Sequence, residues 1–417
     1  MELMALVGGT PGIDCGGFCE FCYFKTVNFE KIKKLPIGCR NCPPDQIGCE
    51  YCQEVTKLPK NSFKPVFNVL MELRKDLIRG ELTGTLDFDD LKINVGSWAD
   101  ILFYPYLDEI LFALKNKGLP VHLGYTSGKG ITHERQAENL ISKGVNEVSF
   151  SVFSMNTEMR RKWMRDKSPE ASLGALKIFC ENIEVNASTV VIPGVINYEE
   201  IYNTCSILED WGVKSFVLSR FANLQKQGLI LNNRPVIDGI IPDPYKEFSE
   251  LVTRISDEFK FTVYGSPATH PEKDMPYALS KNGNKVNLAN LDKIISEATI
   301  VTSSLSAPFI KKILRSVDDN DYVNVIGVKK EVADLITIDD LKSVNLDDVK
   351  DRVVIPGGML ISDQQAVEYF SLDGNERSIV RGPLFLFAPC SDWDNDKEKL
   401  IDFELKSFNK LIDVINS

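Results

Sequence analysis

Seven of the ten cysteines, Cys15, Cys19, Cys22, Cys39, Cys42, Cys49 and Cys52, fall within residues 15–52, while Cys180, Cys205 and Cys390 are scattered. A disulfide framework staples a small domain along its whole length. This chain has 417 residues, enough to bury a core without covalent help. An odd number of thiols also cannot pair off completely. The cluster therefore reads as metal-binding or catalytic in a reducing compartment, and a cytoplasmic location is expected. No run approaches the roughly 18 apolar residues of a membrane span. The start, MELMALVGG, lacks the basic region and apolar stretch of a signal peptide. Lys and Arg number 48 against 59 Asp and Glu, a net charge of −11. That balance lacks the basic footprint of a phosphate-backbone binder, so no nucleic-acid partner is expected.

Residues 1–270 alternate strand and helix patterns. Apolar runs at Leu3–Val7, Leu91–Val95, Pro120–Tyr125, Val145–Phe153, Ala187–Ile192, Val213–Leu218 and Phe259–Tyr264 read as strands. Helical spacing of apolar residues separates them, and Ser168–Pro169 marks one helix start. The pattern predicts an α/β fold with a partial (β/α)6 barrel, short of the eight units of a closed barrel. The long segment after strand one carries the clustered cysteines, with a four-cysteine loop at 36–55. Residues 271–290 read as a linker and 291–417 as a smaller C-terminal α/β domain. Its strands are expected at Thr299–Val301, Val323–Val328, Val353–Ile355 and Leu384–Phe387, and its helices at 307–316 and 397–414.

Two cysteine constellations carry chemistry. Cys15, Cys19 and Cys22 form a C-x3-C-x2-C loop. A [4Fe–4S] cube normally takes four cysteines, so three leave one iron open for chemistry. Gly16 and Gly17 allow the turns such wrapping needs, and Phe21 is an aromatic placed to cover an adenine. Cys39, Cys42, Cys49 and Cys52 form two I-G-C-x-x-C knuckles, whose four thiolates suit one structural zinc or iron, with a second iron–sulfur cluster as the alternative.

The first constellation, after strand one of a β/α chain, resembles the radical S-adenosylmethionine (SAM) superfamily. The resemblance implies that the open iron binds SAM and that reduction yields a 5′-deoxyadenosyl radical. It implies SAM contacts at Gly96–Ser97, which end the second strand, and at Pro193–Gly194, which end the fifth. Ser127 and Ser151 sit near the ends of strands three and four. Each of these residues also reads as an ordinary turn. The basic run Arg160–Arg165 suits either an anion or a solvated helix face.

The run Gly8–Lys25, GGTPGIDCGGFCEFCYFK, followed by the two knuckles, looks like the methanogenesis marker protein ten family over the whole chain. That resemblance implies a cobalamin-dependent methyltransferase. It would convert an arginine of the methyl-coenzyme M reductase alpha subunit to 5-methylarginine, with a low-potential electron donor. It implies a mononuclear iron on the four-cysteine site. It also implies that Tyr23 binds the unique iron when SAM is not positioned there; by itself Tyr23 is an aromatic beside the cluster. The target carbon is neither acidic nor nucleophilic, so hydrogen abstraction and a methylcobalamin donor match the problem.

The resemblance places cobalamin on about residues 285–417. The D-x-H-x-x-G signature is absent, and His122, His133 and His270 lie in no such motif. His122 reads as a satisfied strand residue, and His133 and His270 as surface or cap residues. Ser303, Ser304 and the loop 356–359, with Gly357 and Gly358, are the expected corrin contacts, or plain turns. Cys180 and Cys205 read as core residues. Asp87, Asp89, Asp90 and Asp100 flank the second strand and suit either a substrate guanidinium or solvent. Two other readings stay open: a radical SAM peptide modifier that does not methylate, and a non-catalytic zinc-knuckle binding protein.

Overall fold

The computed structural model describes residues 2–26, 37–42, 63–84, 86, 91–223, 235–389 and 396–417. Cys49, Cys52, Cys390, Asp87, Asp89, Asp90 and most of the loop 36–55 lie outside these described residues. The chain divides into two units. The first comprises Met1–Thr26, Pro59–Phe221 and Val236–Pro267, and the second Val27–Leu58, Ala222–Pro235 and Ala268–Ser417.

Seven strands build the first unit: β1 (Glu2–Leu6), β2 (Lys92–Gly96), β3 (Val121–Thr126), β4 (Val145–Ser151), β5 (Glu184–Val191), β6 (Ser215–Arg220) and β7 (Thr262–Ser266). They pair in sequence order and all in parallel. Right-handed crossovers that always step in the same direction keep every helix on one face, so the sheet curls as a partial barrel. The helices are α1 (Val66–Thr83), α2 (Leu107–Lys115), α3 (Gln136–Ser142), α4 (Pro169–Asn182), α5 (Tyr198–Trp211) and α6 (Tyr245–Glu258). Pro169 takes the first turn of α4 as expected, although the Ser168 side chain makes no capping bond.

Strand residues alternate between two environments. Ile93, Val95, Val148, Phe150, Phe216, Leu218 and Val263 are buried in one apolar cluster with Leu111, Leu176, Leu208 and Val252 of the helices. Between them stand polar residues near the amino ends of the strands. His122 joins Glu2 at 2.7 Å and Ser149 at 2.9 Å. Glu147 pairs with Lys92 and accepts from Asn186, which itself accepts from Ser215 at 2.6 Å. The His122 hydrogen bond, opposed by burial, lowers the Glu2 carboxyl to about 2. His122 is thus the satisfied strand residue its setting suggests. Cys180 and Cys205 are buried in the same apolar cluster.

The second unit holds a second parallel sheet of β8 (Ala298–Ser303), β9 (Val323–Val328), β10 (Arg352–Ile355) and β11 (Ser378–Arg381), ordered β11-β10-β8-β9. Its main helices are α7 (Ala307–Leu314), α8 (Asp363–Phe370) and α9 (Lys397–Asn416). The expected strand Leu384–Phe387 is not one: β11 lies earlier, and Gly382–Pro383 ends it. Proline has no N–H to extend the ladder, and Leu384 and Phe385 are left half-exposed. Helix α8 was absent from the sequence reading, yet Ser362 and Gln365 form a full capping box at its start.

Residues 271–290, expected as a linker, lie in the second unit and carry three short 3-10 helices with Ala278, Leu279 and Ser280 buried. His270, expected at the surface or as a cap, precedes the first of these helices but is buried. The anchor of this segment is Glu404 of α9, fully buried, which accepts from Ala278 N and Leu279 N at 2.9 Å each. Burial pushes its carboxyl up to about 7, against the opposition of those N–H groups. A proton held more tightly in the folded chain than in the unfolded one means stability falls as pH rises between the two values. Thermal unfolding should show the second unit losing stability from about pH 4.5 to about pH 7, by at most about 3 kcal/mol, and levelling off above. Glu404→Gln should flatten that slope.

Candidate active site at the carboxyl edge of the barrel

The cysteine loop leaves β1 through Gly8 and Gly9. A turn at Thr10–Asp14 follows, in which Asp14 accepts from Thr10 N at 2.7 Å. Gly12 N then points at Cys15 Sγ, 3.0 Å away. Gly16 has φ +69 and would drive a Cβ to 2.9 Å from the Phe103 ring; only glycine suits both demands. Burial raises the proton affinity of all three thiols, Cys22 to about 11. They become thiolates only when a metal replaces the proton.

The far side of the loop rests on the segment after β4. Glu20 N donates to Trp163 O at 2.8 Å, and the Arg165 guanidinium meets the Glu20 carboxylate at 2.6 Å. Arg160–Met164 is a π-helical turn, a distortion common near functional sites. The basic run is therefore a buttress: Arg165 pairs with Glu20, Arg161 with Glu170, and Arg160 with Asp166. Arg160 and Asp166 are both buried, with side chains fully shielded. The Arg160 guanidinium donates to Ser127 O at 2.7 Å, Ser151 O at 3.3 Å and the Val152 carbonyl, so it locks the ends of β3 and β4 together.

Asp100 fits neither expectation made for it. It is fully buried, and its oxygens accept from Leu102 N, Ser127 N and Ser127 Oγ at 3.0, 2.7 and 2.6 Å. Burial raises its proton affinity, while these donors and Thr126 oppose the rise. It fastens the loop after β2 to the end of β3 and leaves nothing for a substrate guanidinium. Asp166 and Lys129 are parts of this edge that nothing in the sequence singles out, and Arg160 falls in the basic run expected to meet an anion or solvent. The Lys129 ammonium donates to Gly17 O at 2.7 Å and lies 3.7 Å from Cys19 Sγ.

The residues expected to meet SAM are brought to this edge in different states. Ser97 Oγ donates to Gly8 O at 2.8 Å and accepts from Ala99 N, so it staples two loops. A Cβ at Gly96 would lie 2.8 Å from Met4 Sδ. Ser127 serves Asp100 and Arg160. Ser151 lends its carbonyl to Arg160. Pro193 and Gly194 form a turn closed by Val195 N and Ile192 O, and a Cβ at Gly194 would meet nothing within 4 Å. That backbone is open to close approach. Phe21 is buried and stacks on Phe153, with ring centroids 4.8 Å apart. Phe153 holds φ +63, a rare conformation for so bulky a residue. Tyr23 begins a 3-10 turn after Cys22 and stacks on Phe221 at 5.8 Å.

Residues 10–208, just under half the chain, match the radical SAM superfamily. No curated protein matches the chain in sequence. Among solved structures, SuiB of Streptococcus suis bound to S-adenosylmethionine is similar at 13% identity, 62% of this chain, 47% of that chain and TM-score 0.37. The coproporphyrinogen III oxidase HemN of Escherichia coli is similar at 12% identity, 78% and 62% coverage and TM-score 0.36. A radical SAM methyltransferase from Sphaerobacter thermophilus is similar at 14%, 55% and 64%, TM-score 0.34. The chain thus spans less than half the length of SuiB.

The match over residues 10–208 implies a [4Fe–4S] cluster and SAM. The donor set fits: three thiols on one loop, a backbone N–H and an ammonium aimed at two of their sulfurs, and an open flank at Gly17, where a Cβ would meet nothing within 4 Å.

The second unit holds the remaining candidates. Ile37 is buried there, and Gly38 N donates to Leu360 O at 3.3 Å. The Cys39–Cys42 knuckle points Cys39 N at Cys42 Sγ, 3.3 Å away, and Asn41 N at Cys39 Sγ, 3.4 Å away. N–H groups aimed at sulfur suit metal thiolates. Ser303 Oγ accepts from Ser306 N at 3.1 Å, and Ser304 Oγ donates to Lys330 O at 3.1 Å. A Cβ at Gly357 would lie 2.7 Å from Gly382 O, and one at Gly358 would lie 2.5 Å from Asp334 Oδ1. These glycines are demanded by the protein's own close packing.

Proposed function

We propose that the protein is a cobalamin-dependent radical SAM methyltransferase that methylates an arginine carbon of the methyl-coenzyme M reductase alpha subunit. The observation that carries this reading is the strand order of the second unit, in a chain that also has a radical SAM domain. From β8 the chain steps to β9 on one side, then to β10 on the other. Such a reversal opens a crevice at the carboxyl ends of the two diverging strands, the usual ligand position in an open parallel sheet. Here the crevice is flanked by Ser303–Ser306 and Pro356–Met359. The Ser303–Ser306 side of that crevice would take a large flat cofactor such as a corrin, while Gly357 and Gly358 let the opposite loop pack against Gly382 and Asp334.

Bound at their sites, the cluster and SAM would supply a radical able to abstract hydrogen from an unactivated carbon, and methylcobalamin would supply the methyl group. The chain's own residues position and shield. Arg160 and Asp100 fix the ends of β2, β3 and β4 as a rigid rim. Glu20, Arg165 and Trp163 hold the cysteine loop against that rim. Gly194 presents open backbone suited to an adenine edge, and Phe21 with Phe153 forms an apolar wall that excludes water. Tyr23, one residue beyond Cys22, would bind the unique iron when SAM is not positioned there. The Cys39–Cys42 knuckle, with Cys49 and Cys52, would hold a mononuclear iron or zinc with no open position, a structural role.

The test is an anaerobic assay with reconstituted protein, SAM, methylcobalamin, a low-potential reductant and an arginine-containing peptide of the reductase. Mass spectrometry should find one methyl added at the arginine side chain, only when cobalamin is present. Deoxyadenosine without methylation on any arginine peptide would favour a non-methylating peptide modifier. Zinc-loaded protein that never cleaves SAM would favour the knuckle-binding protein.

A further inference from the structure

Lys129 stands in the loop after β3, half-buried, and belongs to none of the expected cofactor contacts. Its ammonium grips the cysteine loop at Gly17 O and also reaches Cys19 Sγ. Among the described residues it forms no ion pair with a carboxylate. The other charges around the thiols are committed: Asp14 to Thr10 N, Asp100 to Ser127 and Leu102, and Arg160 to Asp166. The Lys129 ammonium is thus the positive charge placed at hydrogen-bond reach of a cysteine sulfur of this loop.

We propose that Lys129 sets the reduction potential of the cluster held by Cys15, Cys19 and Cys22, by fixing a positive charge against the Cys19 sulfur. This rests on the reading of that loop as the cluster site. Reduction adds one electron from a low-potential donor; no bond is made or broken, and the ammonium keeps its proton. The cluster and its thiolates become one unit more negative in a site withdrawn from water. A cation within hydrogen-bond reach of a ligand sulfur offsets that cost, because charge and hydrogen bonds at sulfur govern these potentials. The Gly17 contact holds the ammonium in place, so the charge is positioned before the electron arrives.

The experiment is an EPR-monitored redox titration of reconstituted wild type, Lys129→Arg, Lys129→Met and Lys129→Gln, with iron and sulfide analysis of each. At the potential that half-reduces wild type, the reduced-to-oxidised ratio in the two neutral variants should fall about tenfold, a shift of about −59 mV for one electron. Lys129→Arg keeps the charge and should stay within about twofold. Iron and sulfide should match wild type throughout. Unchanged potentials in the neutral variants would overturn the inference. So would an arginine variant shifted as far as the neutral ones, or loss of the cluster from both neutral variants, since either makes Lys129 a structural clamp. A [4Fe–4S] signal that survives Cys15→Ala/Cys19→Ala/Cys22→Ala would instead overturn the cluster site itself, and the inference with it.

Discussion

Cys19→Ala is expected to abolish 5′-deoxyadenosine formation, by roughly 10⁴-fold or more, the scale on which removal of an essential group from a catalytic unit acts. Two thiols cannot hold the cluster that three hold, so iron and sulfide should fall with the activity. Cys180→Ala and Cys205→Ala are the controls. Both thiols are buried in the apolar core and serve packing, so each variant should keep its cluster and lose only about 1 kcal/mol of stability. Cys39→Ala separates the two constellations. It should lower the content of the second metal and leave the three-thiol cluster's EPR signal in place. Cleavage of SAM that persists in Cys19→Ala would contradict the account of the loop.

Arg160→Met should be among the most destabilising single substitutions in the barrel. It strands the buried Asp166 carboxylate, and it leaves the carbonyls of Ser127, Ser151 and Val152 without their guanidinium donor. Removing one partner of a buried ion pair costs about 3–5 kcal/mol. Asp166→Asn should cost less, because the guanidinium keeps its carbonyl partners and the amide oxygen still accepts. The double variant should cost less than the sum of the two, since neither charge is then left alone. Urea unfolding of the four proteins measures the cycle. The cysteine loop leans on the same turn through Trp163 and Arg165, so Arg160→Met should also reconstitute less cluster. A cost below about 1 kcal/mol would mean that the pair is not the lock of the strand ends.

The barrel was legible because its strands obey a simple rule. Runs such as Ile93–Val95 and Val148–Phe150 must bury one face under helices, and that demand shows in the residue pattern. The cysteine loop was legible because metal chemistry fixes residue type and spacing together. What escaped notice depends on contacts distant in sequence. Nothing near Asp100 announces Ser127, and nothing near Lys129 announces Gly17. In sequence Arg160 belongs to a basic run that suits an anion or a solvated helix face, because its partner Asp166 is brought close only by a π-helical turn. Helix α8 is different: Ser362 and Gln365 carried a readable start signal that went unused. Strand β11 is harder to read because Ile379–Val380 is a shorter apolar run than Leu384–Phe387, and Gly382–Pro383 separates the two. Gly357 and Gly358 read in sequence either as corrin contacts or as a plain turn, and the contacts with Gly382 and Asp334 that demand them are distant in sequence.

On the proposed function, one chain couples radical chemistry in its barrel to methyl transfer from cobalamin. The most direct test of that coupling is the stoichiometry of products from methyl-deuterated SAM with the arginine peptide. The account predicts one 5′-deoxyadenosine and one S-adenosylhomocysteine for each trideuteromethyl group found on arginine, with a single lag while unlabelled cobalamin turns over. Methylation that proceeds undiminished without cobalamin, or deoxyadenosine formed with no S-adenosylhomocysteine, would contradict it.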